Sequence, residues 1–137
     1  GRKIIAAMGG NARGKTVALL GLTFKPNTDD MRDSPSLAIV QTLLDAGARV
    51  TAYDPEGMEI AAPMMPEVEM KASAYAAAEG ADAVAIITVW DAFRALDLAR
   101  LGRIMADKLL VDLRNIYRRD EVLRHGFRHI AIGTRAE

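Results

Sequence analysis

The apolar run TVALLGLT, from Thr16 to Thr23, decides how the rest of the chain is interpreted. Its apolar residues are continuous instead of alternating with polar ones, which is typical of a strand buried on both faces of a parallel sheet. Further apolar residues follow at helical spacing between Leu37 and Leu44. The run and this spacing together predict a first βα unit.

Signals for the start and end of a helix flank that spacing. Ser34-Pro35-Ser36 places a capping residue and a first-turn proline before it, and Gly47 supplies a stop after it. These signals predict the helix of the first unit.

Four more apolar runs repeat the pattern along the chain. Helical patterns lie between them, so the sequence predicts an α/β fold around a parallel sheet. The runs are RVTAY at 49–53, AVAIITV at 83–89, LLVDL at 109–113 and HIAIG at 129–133.

The intervening segments carry weaker signals. Asp97 and Asp120 are predicted to cap helices, and an alanine-rich helix is predicted over 72–79. Segment 54–71 permits a short helix, a loop and an edge strand. Residues 2–8 look helical but lack a cap, which indicates a chain cut inside a longer helix.

Composition limits the classes of function. The chain has 137 residues and no cysteine, so thiol nucleophiles and thiolate metal sites are excluded. Its 18 Lys and Arg balance 18 Asp and Glu, which argues against nucleic-acid and membrane-surface binding. No apolar run is long enough to cross a membrane. We therefore predict a cytoplasmic protein whose partner is a small molecule or another protein.

Residues Gly9 to Thr16, GGNARGKT, match the P-loop pattern. A P-loop leaves a strand and opens a helix, whereas here the helical stretch comes first and the strand second. The order favours a helix stop followed by a turn. The glycine fingerprint of a dinucleotide site is also missing after the first run, which predicts that this domain alone does not hold a dinucleotide in the usual way.

The connection from Phe24 to Asp33 is longer than a usual βα loop. It lies where ligands of parallel sheets bind, beyond the carboxyl ends of the strands. Lys25 suits a phosphate or sugar oxygen, and Arg32 suits two phosphate oxygens. Neighbouring aspartates pairing with these cations on a solvated loop explain the spacing equally well.

Arg114 follows the fourth run and should emerge at the same edge as Lys25, although an arginine there is also an ordinary solvent-facing residue. His125 and His129 have no second ligand at metal spacing, and both are interpreted as structural. No metal site is predicted.

Residues 21–36, GLTFKPNTDDMRDSPS, closely resemble the signature of the C-terminal domain of the UDP-glucose 6-dehydrogenase family. The resemblance continues through AYDPEGM at 52–58, WDAFR at 90–94 and VDLRNIY at 111–117. It implies a Rossmann-like parallel sheet with helices on both faces in a single domain. Residues 1–15 would be the end of a linker helix and a turn, and 16–137 the UDP-sugar-binding C-terminal domain.

The resemblance also implies the site. Phe24, Lys25 and Arg114 match substrate-binding residues for UDP-glucose or UDP-glucuronate, and Arg32 matches an arginine that contacts NAD. Leu113 departs from the family pattern, in which a glycine often precedes this arginine. NAD would be bound mainly by an absent N-terminal domain of a homodimeric parent enzyme. That enzyme oxidises its sugar through cysteine-bound intermediates, so no catalytic residue is assigned here and the chain alone is predicted inactive.

Three alternatives remain open from the sequence. They are a dehydrogenase of a related nucleotide sugar, a P-loop nucleotide-binding protein, and a non-catalytic α/β interaction module.

Overall fold

A computed structural model describes residues 2–22, 36–88, 93, 95–114 and 117–131 of the chain. These residues form a six-stranded sheet in the order β3-β2-β1-β4-β5-β6, and every neighbouring pair is parallel. The strands are β1 (Thr16–Leu20), β2 (Arg49–Tyr53), β3 (Glu69–Met70), β4 (Ala83–Ile86), β5 (Leu109–Asp112) and β6 (Arg128–Ala131).

Helices connect the strands and cover the sheet. They are α1 (Arg2–Ala7), α2 (Ser36–Asp45), α3 (Met58–Ala61) with a 3₁₀ turn at Ala62–Met64, α4 (Ala74–Ala78), α5 (Leu98–Ile104) and α6 (Arg119–Arg124).

Residues of β1 show how the two layers form. Val17 and Leu19 face a core that holds Ile4 of α1 and Leu43 of α2. Ala18 and Leu20 face a second core, made with α4, α5 and α6. All four β1 residues are fully buried. Since consecutive side chains of a strand point to opposite faces, a continuous apolar run is what a sheet covered on both sides requires. The predicted fold class is confirmed.

Several local predictions are confirmed as well. Gly47 has a φ of 85° and ends α2, and the Asp97 side chain accepts a hydrogen bond from the Arg100 N–H at the start of α5. Strand β2 has the predicted bounds, and segment 54–71 holds a short helix and the edge strand β3. Helix α1 precedes the Gly9–Thr16 motif and β1 follows it, so this motif is not a P-loop.

The predicted cap at Asp120 and the predicted ends of three strands need correction. Asp120 does not cap α6: Arg118 occupies the capping position, and Asp120 lies in the first turn with an oxygen 3.5 Å from the Arg118 nitrogen. A carboxylate favours the start of a helix from that position too, because it interacts with the helix dipole. Strand β1 ends at Leu20 instead of Thr23, since Gly21 turns the chain with a φ of 93°. Strand β4 ends at Ile86 and β5 at Asp112, before the ends of the apolar runs at 83–89 and 109–113. Ser34 and Pro35 lie outside the described residues.

Helix α1 belongs to the first core, where Ile4 is fully buried and Met8 nearly so. That residues 1–15 end a linker helix stays a prediction. Within the described ranges, no helix is both long and apolar enough to span a membrane.

Candidate functional site at the carboxyl edge of the sheet

Gly21 marks the point where the chain leaves β1. A Cβ atom at this position would lie 2.6 Å from the Thr88 Cβ and 2.7 Å from its backbone nitrogen. The Gly21 N–H donates to the Tyr53 carbonyl at 2.9 Å, and the Leu20 carbonyl accepts from the Ile87 N–H at 2.9 Å. The ends of β1, β2 and β4 are therefore packed too closely for any side chain at Gly21.

Leu22 is held through both of its backbone groups. Its N–H donates to the Asp54 Oδ2 at 2.7 Å, and its carbonyl accepts from the Ser36 hydroxyl at 2.7 Å. Asp54 is fully buried, and its Oδ1 also accepts from the N–H groups of Glu56 and Gly57 at 2.9 and 2.7 Å. The bond between Leu22 and Ser36 brings together the two ends of segment 23–35, which carries Lys25.

Asp112, at the end of β5, likewise accepts hydrogen bonds from the backbone of the loop that follows its strand. It is fully buried; its Oδ1 accepts from the Arg114 N–H at 3.1 Å and its Oδ2 from the Tyr117 N–H at 2.9 Å. The Leu113 N–H donates to the Ile86 carbonyl at 3.2 Å, which attaches this turn to β4. The Leu113 side chain is partly buried and packs against the core beneath α1 and α2.

Three aromatic residues link the end of β2 to the loops beyond β4 and β5. The Tyr117 hydroxyl donates to the Phe93 carbonyl oxygen. The Phe93 ring is fully buried and meets the Tyr53 ring edge to face, with their centroids 6.3 Å apart. Burial first, and the charge of Asp112 second, raise the pKa of Tyr117, so its hydroxyl stays a donor across the ordinary pH range. Phe93 shields the sheet instead of stacking on a ligand.

The predicted site residues divide into two groups. Arg114 lies at the carboxyl edge with an exposed side chain. Phe24, Lys25 and Arg32 lie outside the described residues, but the segment that carries them leaves from Leu22 at the same edge. Only β4 separates β1 from β5, so the two strand ends lie about 10 Å apart at the usual strand spacing.

This edge has the position of a ligand site. Strand order reverses between β1 and β4, and open parallel sheets bind ligands in the crevice outside such a switch point. The described residues do not fit a dinucleotide in the usual manner, however. The acidic residue that follows β2 would contact the ribose, and here Asp54 is fully buried and bonded to three backbone N–H groups.

Asp54, Asp112 and Ser36 were not singled out as site residues by the sequence analysis. One signal for the two aspartates was present in the sequence: Asp54 directly follows the apolar run at 49–53, and Asp112 lies inside the run at 109–113. A carboxylate in that position must find hydrogen-bond donors. Which donors it finds depends on loops that are distant in sequence, such as Leu22 for Asp54.

The histidines lie apart from this edge. The Nδ1 of His125 is 2.9 Å from the Glu121 carbonyl oxygen. His129 on β6 pairs with Leu110 and is 5% exposed, and neither of its ring nitrogens has a hydrogen-bond partner in the described structure. Over the same residues, no cluster of three or more His, Asp or Glu side chains is arranged to hold a metal ion.

His129 predicts a pH-dependent loss of stability. Burial lowers its pKa from the ordinary 6.5, Arg119 lowers it further and Asp112 opposes the shift. The unfolded chain therefore takes up a proton that the folded chain resists, so the free energy of unfolding should fall as the pH drops below about 6.5 and level off below the folded pKa. Urea unfolding of His129→Gln at pH 7.5 and 5.5 should show a smaller difference than the unchanged chain. An equal difference in both, or a reduction only in His125→Gln, would contradict the assignment.

The sheet order and its two helical layers define a Rossmann-like α/β domain with a candidate ligand site at the carboxyl ends of β1, β4 and β5. Residues 18–119 match the UDP binding domain of the UDP-glucose/GDP-mannose dehydrogenase family, and the chain belongs to that family. The predicted resemblance is confirmed.

Individual relatives agree with this assignment. UDP-glucose 6-dehydrogenase of Rhizobium meliloti is 62% identical over 97% of the chain. Among solved structures, the NDP-N-acetyl-D-galactosaminuronic acid dehydrogenase of Methanosarcina mazei superposes with a TM-score of 0.85 at 28% identity, covering 97% of this chain and 28% of that one. The UDP-glucose dehydrogenase of Pyrobaculum islandicum gives 0.75 at 32% identity, covering 96% and 28%.

The chain spans 30% of the length of the Rhizobium meliloti enzyme. It corresponds to the C-terminal, UDP-binding part of such dehydrogenases.

Proposed function

We propose that this chain is the UDP-sugar-binding part of an NAD-dependent UDP-glucose 6-dehydrogenase, and that it works only as part of the whole enzyme. UDP-glucose enters as the substrate and UDP-glucuronate leaves as the product. The chain has no cysteine to carry a covalent intermediate, so it contributes binding and positioning to the reaction.

One observation carries the proposal. The start of segment 23–35, fixed at Leu22, and the exposed Arg114 share the carboxyl edge on either side of β4. Cations brought to that edge from two loops suit a diphosphate, whose two charged groups need more than one partner. The family's UDP binding domain covers both loops.

Within this proposal, Lys25 and Arg114 contact the diphosphate or sugar oxygens and Phe24 packs on the ligand. Arg32 contacts NAD, which is bound mainly by the N-terminal domain of the parent, itself a homodimer of the cytoplasm. The described residues do not form a cradle for NAD, so their part in the reaction is to bind and position the UDP-sugar.

Steady-state kinetics on the full-length parent enzyme test this division. Lys25→Ala should raise the KM for UDP-glucose by about tenfold to a hundredfold, the value of a hydrogen bond to a charged group, with a smaller effect on the KM for NAD. Arg32→Ala should show the reverse preference. Equal losses for both ligands in either variant would contradict the assignment of roles.

The sugar requires a separate measurement, because the Methanosarcina mazei enzyme named above acts on a different nucleotide sugar. The parent should be titrated in a calorimeter with UDP, UDP-glucose and a UDP-N-acetylhexosamine. We expect it to bind UDP, and to bind UDP-glucose more tightly than the N-acetylated UDP-sugar. Preference for the N-acetylated sugar would reassign the substrate within the family. Failure to bind UDP at all would overturn the proposed function.

A further inference from the structure

Asp112 differs from an ordinary surface aspartate in how it uses its two oxygens. It is the last residue of β5 and fully buried, and within the described structure its two oxygens accept from two backbone N–H groups and form no ion pair with a cation. Those groups belong to Arg114 and Tyr117, so the chain turns around the carboxylate immediately after the strand. Burying a carboxylate is costly unless several donors surround it, and a turn built in this way has little freedom.

The turn is attached to the rest of the sheet on both sides of Asp112. The Leu113 N–H donates to the Ile86 carbonyl of β4 at 3.2 Å. The Tyr117 hydroxyl donates to the Phe93 carbonyl in the connection beyond β4, and Phe93 itself is fully buried. The turn that Asp112 holds together is therefore attached to β4 through Leu113 and to the connection beyond β4 through Tyr117.

Arg114 gains a fixed backbone from these bonds while its side chain stays exposed. An arginine side chain is long and has many rotamers, so the position of its Cα limits where its guanidinium can reach. Misplacing a binding group by about an ångström is enough to lower its contribution greatly.

We propose that Asp112 is a positioning residue: through its bonds to the Arg114 and Tyr117 N–H groups, it holds the Arg114 guanidinium where the UDP-sugar diphosphate binds. This inference rests on the proposed function, because it requires Arg114 to contact the substrate. Asp112 does not touch the ligand and acts through Arg114.

A double-mutant cycle in the full-length parent enzyme tests the proposal. Arg114→Ala should raise the KM for UDP-glucose by about tenfold to a hundredfold. Asp112→Asn, which keeps the shape but removes one of the two acceptor oxygens, should raise it by about fivefold with little change in kcat or in the KM for NAD, as expected for lost binding. The double variant should lie within about twofold of Arg114→Ala alone, because a residue that acts through Arg114 has nothing left to position.

The cycle also distinguishes a failure of the positioning role from a failure of the proposed function. Losses that multiply in the double variant, or an unchanged KM in Asp112→Asn, would overturn the positioning role and leave the proposed function intact. An unchanged KM for UDP-glucose in Arg114→Ala would overturn both the substrate contact and the role of Asp112.

Asp82→Asn is the matched control. Asp82 accepts the Thr16 N–H at 2.9 Å at the opposite, amino-terminal end of the strands, so the same chemical change weakens a bond of the same kind away from the ligand. It should lower the melting temperature without changing either KM. A raised KM for UDP-glucose in this variant would overturn the proposal, because weakening a carboxylate bond far from the ligand would then have the same effect on substrate binding.

If Asp112→Asn fails to melt cooperatively, Tyr117→Phe takes its place. That variant removes the hydroxyl bond to Phe93 and should raise the KM for UDP-glucose by about twofold to threefold, again with no further loss beside Arg114→Ala. An unchanged KM would then overturn the proposal.

Discussion

Gly21→Ala is expected to lower the free energy of unfolding of this chain by about 2–5 kcal/mol. About 1–2 kcal/mol comes from forcing a side chain into a left-handed backbone conformation, and the remainder from crowding in a packed interior. The φ of Gly21 is 93°, and the new methyl carbon would lie 2.6 Å from the Thr88 Cβ. Because small domains are stable by only about 5–15 kcal/mol, urea unfolding should show a large shift of the midpoint.

Gly14→Ala provides the control for Gly21. Gly14 also has a positive φ, of 74°, but among the described residues other than Gly14 and its two chain neighbours, no heavy atom lies within 4 Å of the position where its Cβ would be. It should lose only the conformational part, about 1–2 kcal/mol. If both variants lose the same free energy of unfolding, crowding against Thr88 contributes nothing to the loss at Gly21.

Asp54→Ala should lower the free energy of unfolding by about 3–5 kcal/mol, because it removes the acceptor of three backbone N–H groups, at about 1–3 kcal/mol for each group that stays unsatisfied. The bonds from Leu22 and Gly57 are buried and the bond from Glu56 is partly buried. Denaturant unfolding measures the loss, and amide hydrogen exchange locates it. Exchange at Leu22 and Gly57 should become faster than exchange in β5.

Asp82→Ala is the comparison for Asp54. Its carboxylate accepts one backbone N–H, that of Thr16, and is only half-buried, so about 1 kcal/mol is expected. A loss at Asp54 no greater than at Asp82 would contradict the view that Asp54 anchors the loops after β1 and β2.

Much of the fold was predictable because its signals are local. The bounds of β2, the glycine stop at Gly47 and the cap at Asp97 each depend on a few neighbouring residues. Strand ends were predicted less well. The run at 16–23 stays apolar beyond Leu20, and the pattern does not show that Gly21 turns the chain there.

The site was predictable in part. The carboxyl edge and the presence of Arg114 on it follow from the parallel arrangement, since every strand ends on the same side. The anchoring carboxylates did not follow. Asp54 and Leu22 are 32 positions apart, and no local pattern states that they meet.

The sequence by itself determined the alternation of strands and helices, the two-sided burial of the sheet and the membership of a dehydrogenase family, because periodicity and motifs are properties of adjacent residues. Only the tertiary structure decided which loops meet at the carboxyl edge and that Asp54 and Asp112 turn inward. The physical reason is that a buried carboxylate takes its hydrogen-bond donors from whichever backbone the packed sheet brings near it. For Asp54, one of those donors is the N–H of Leu22, which belongs to a different βα unit.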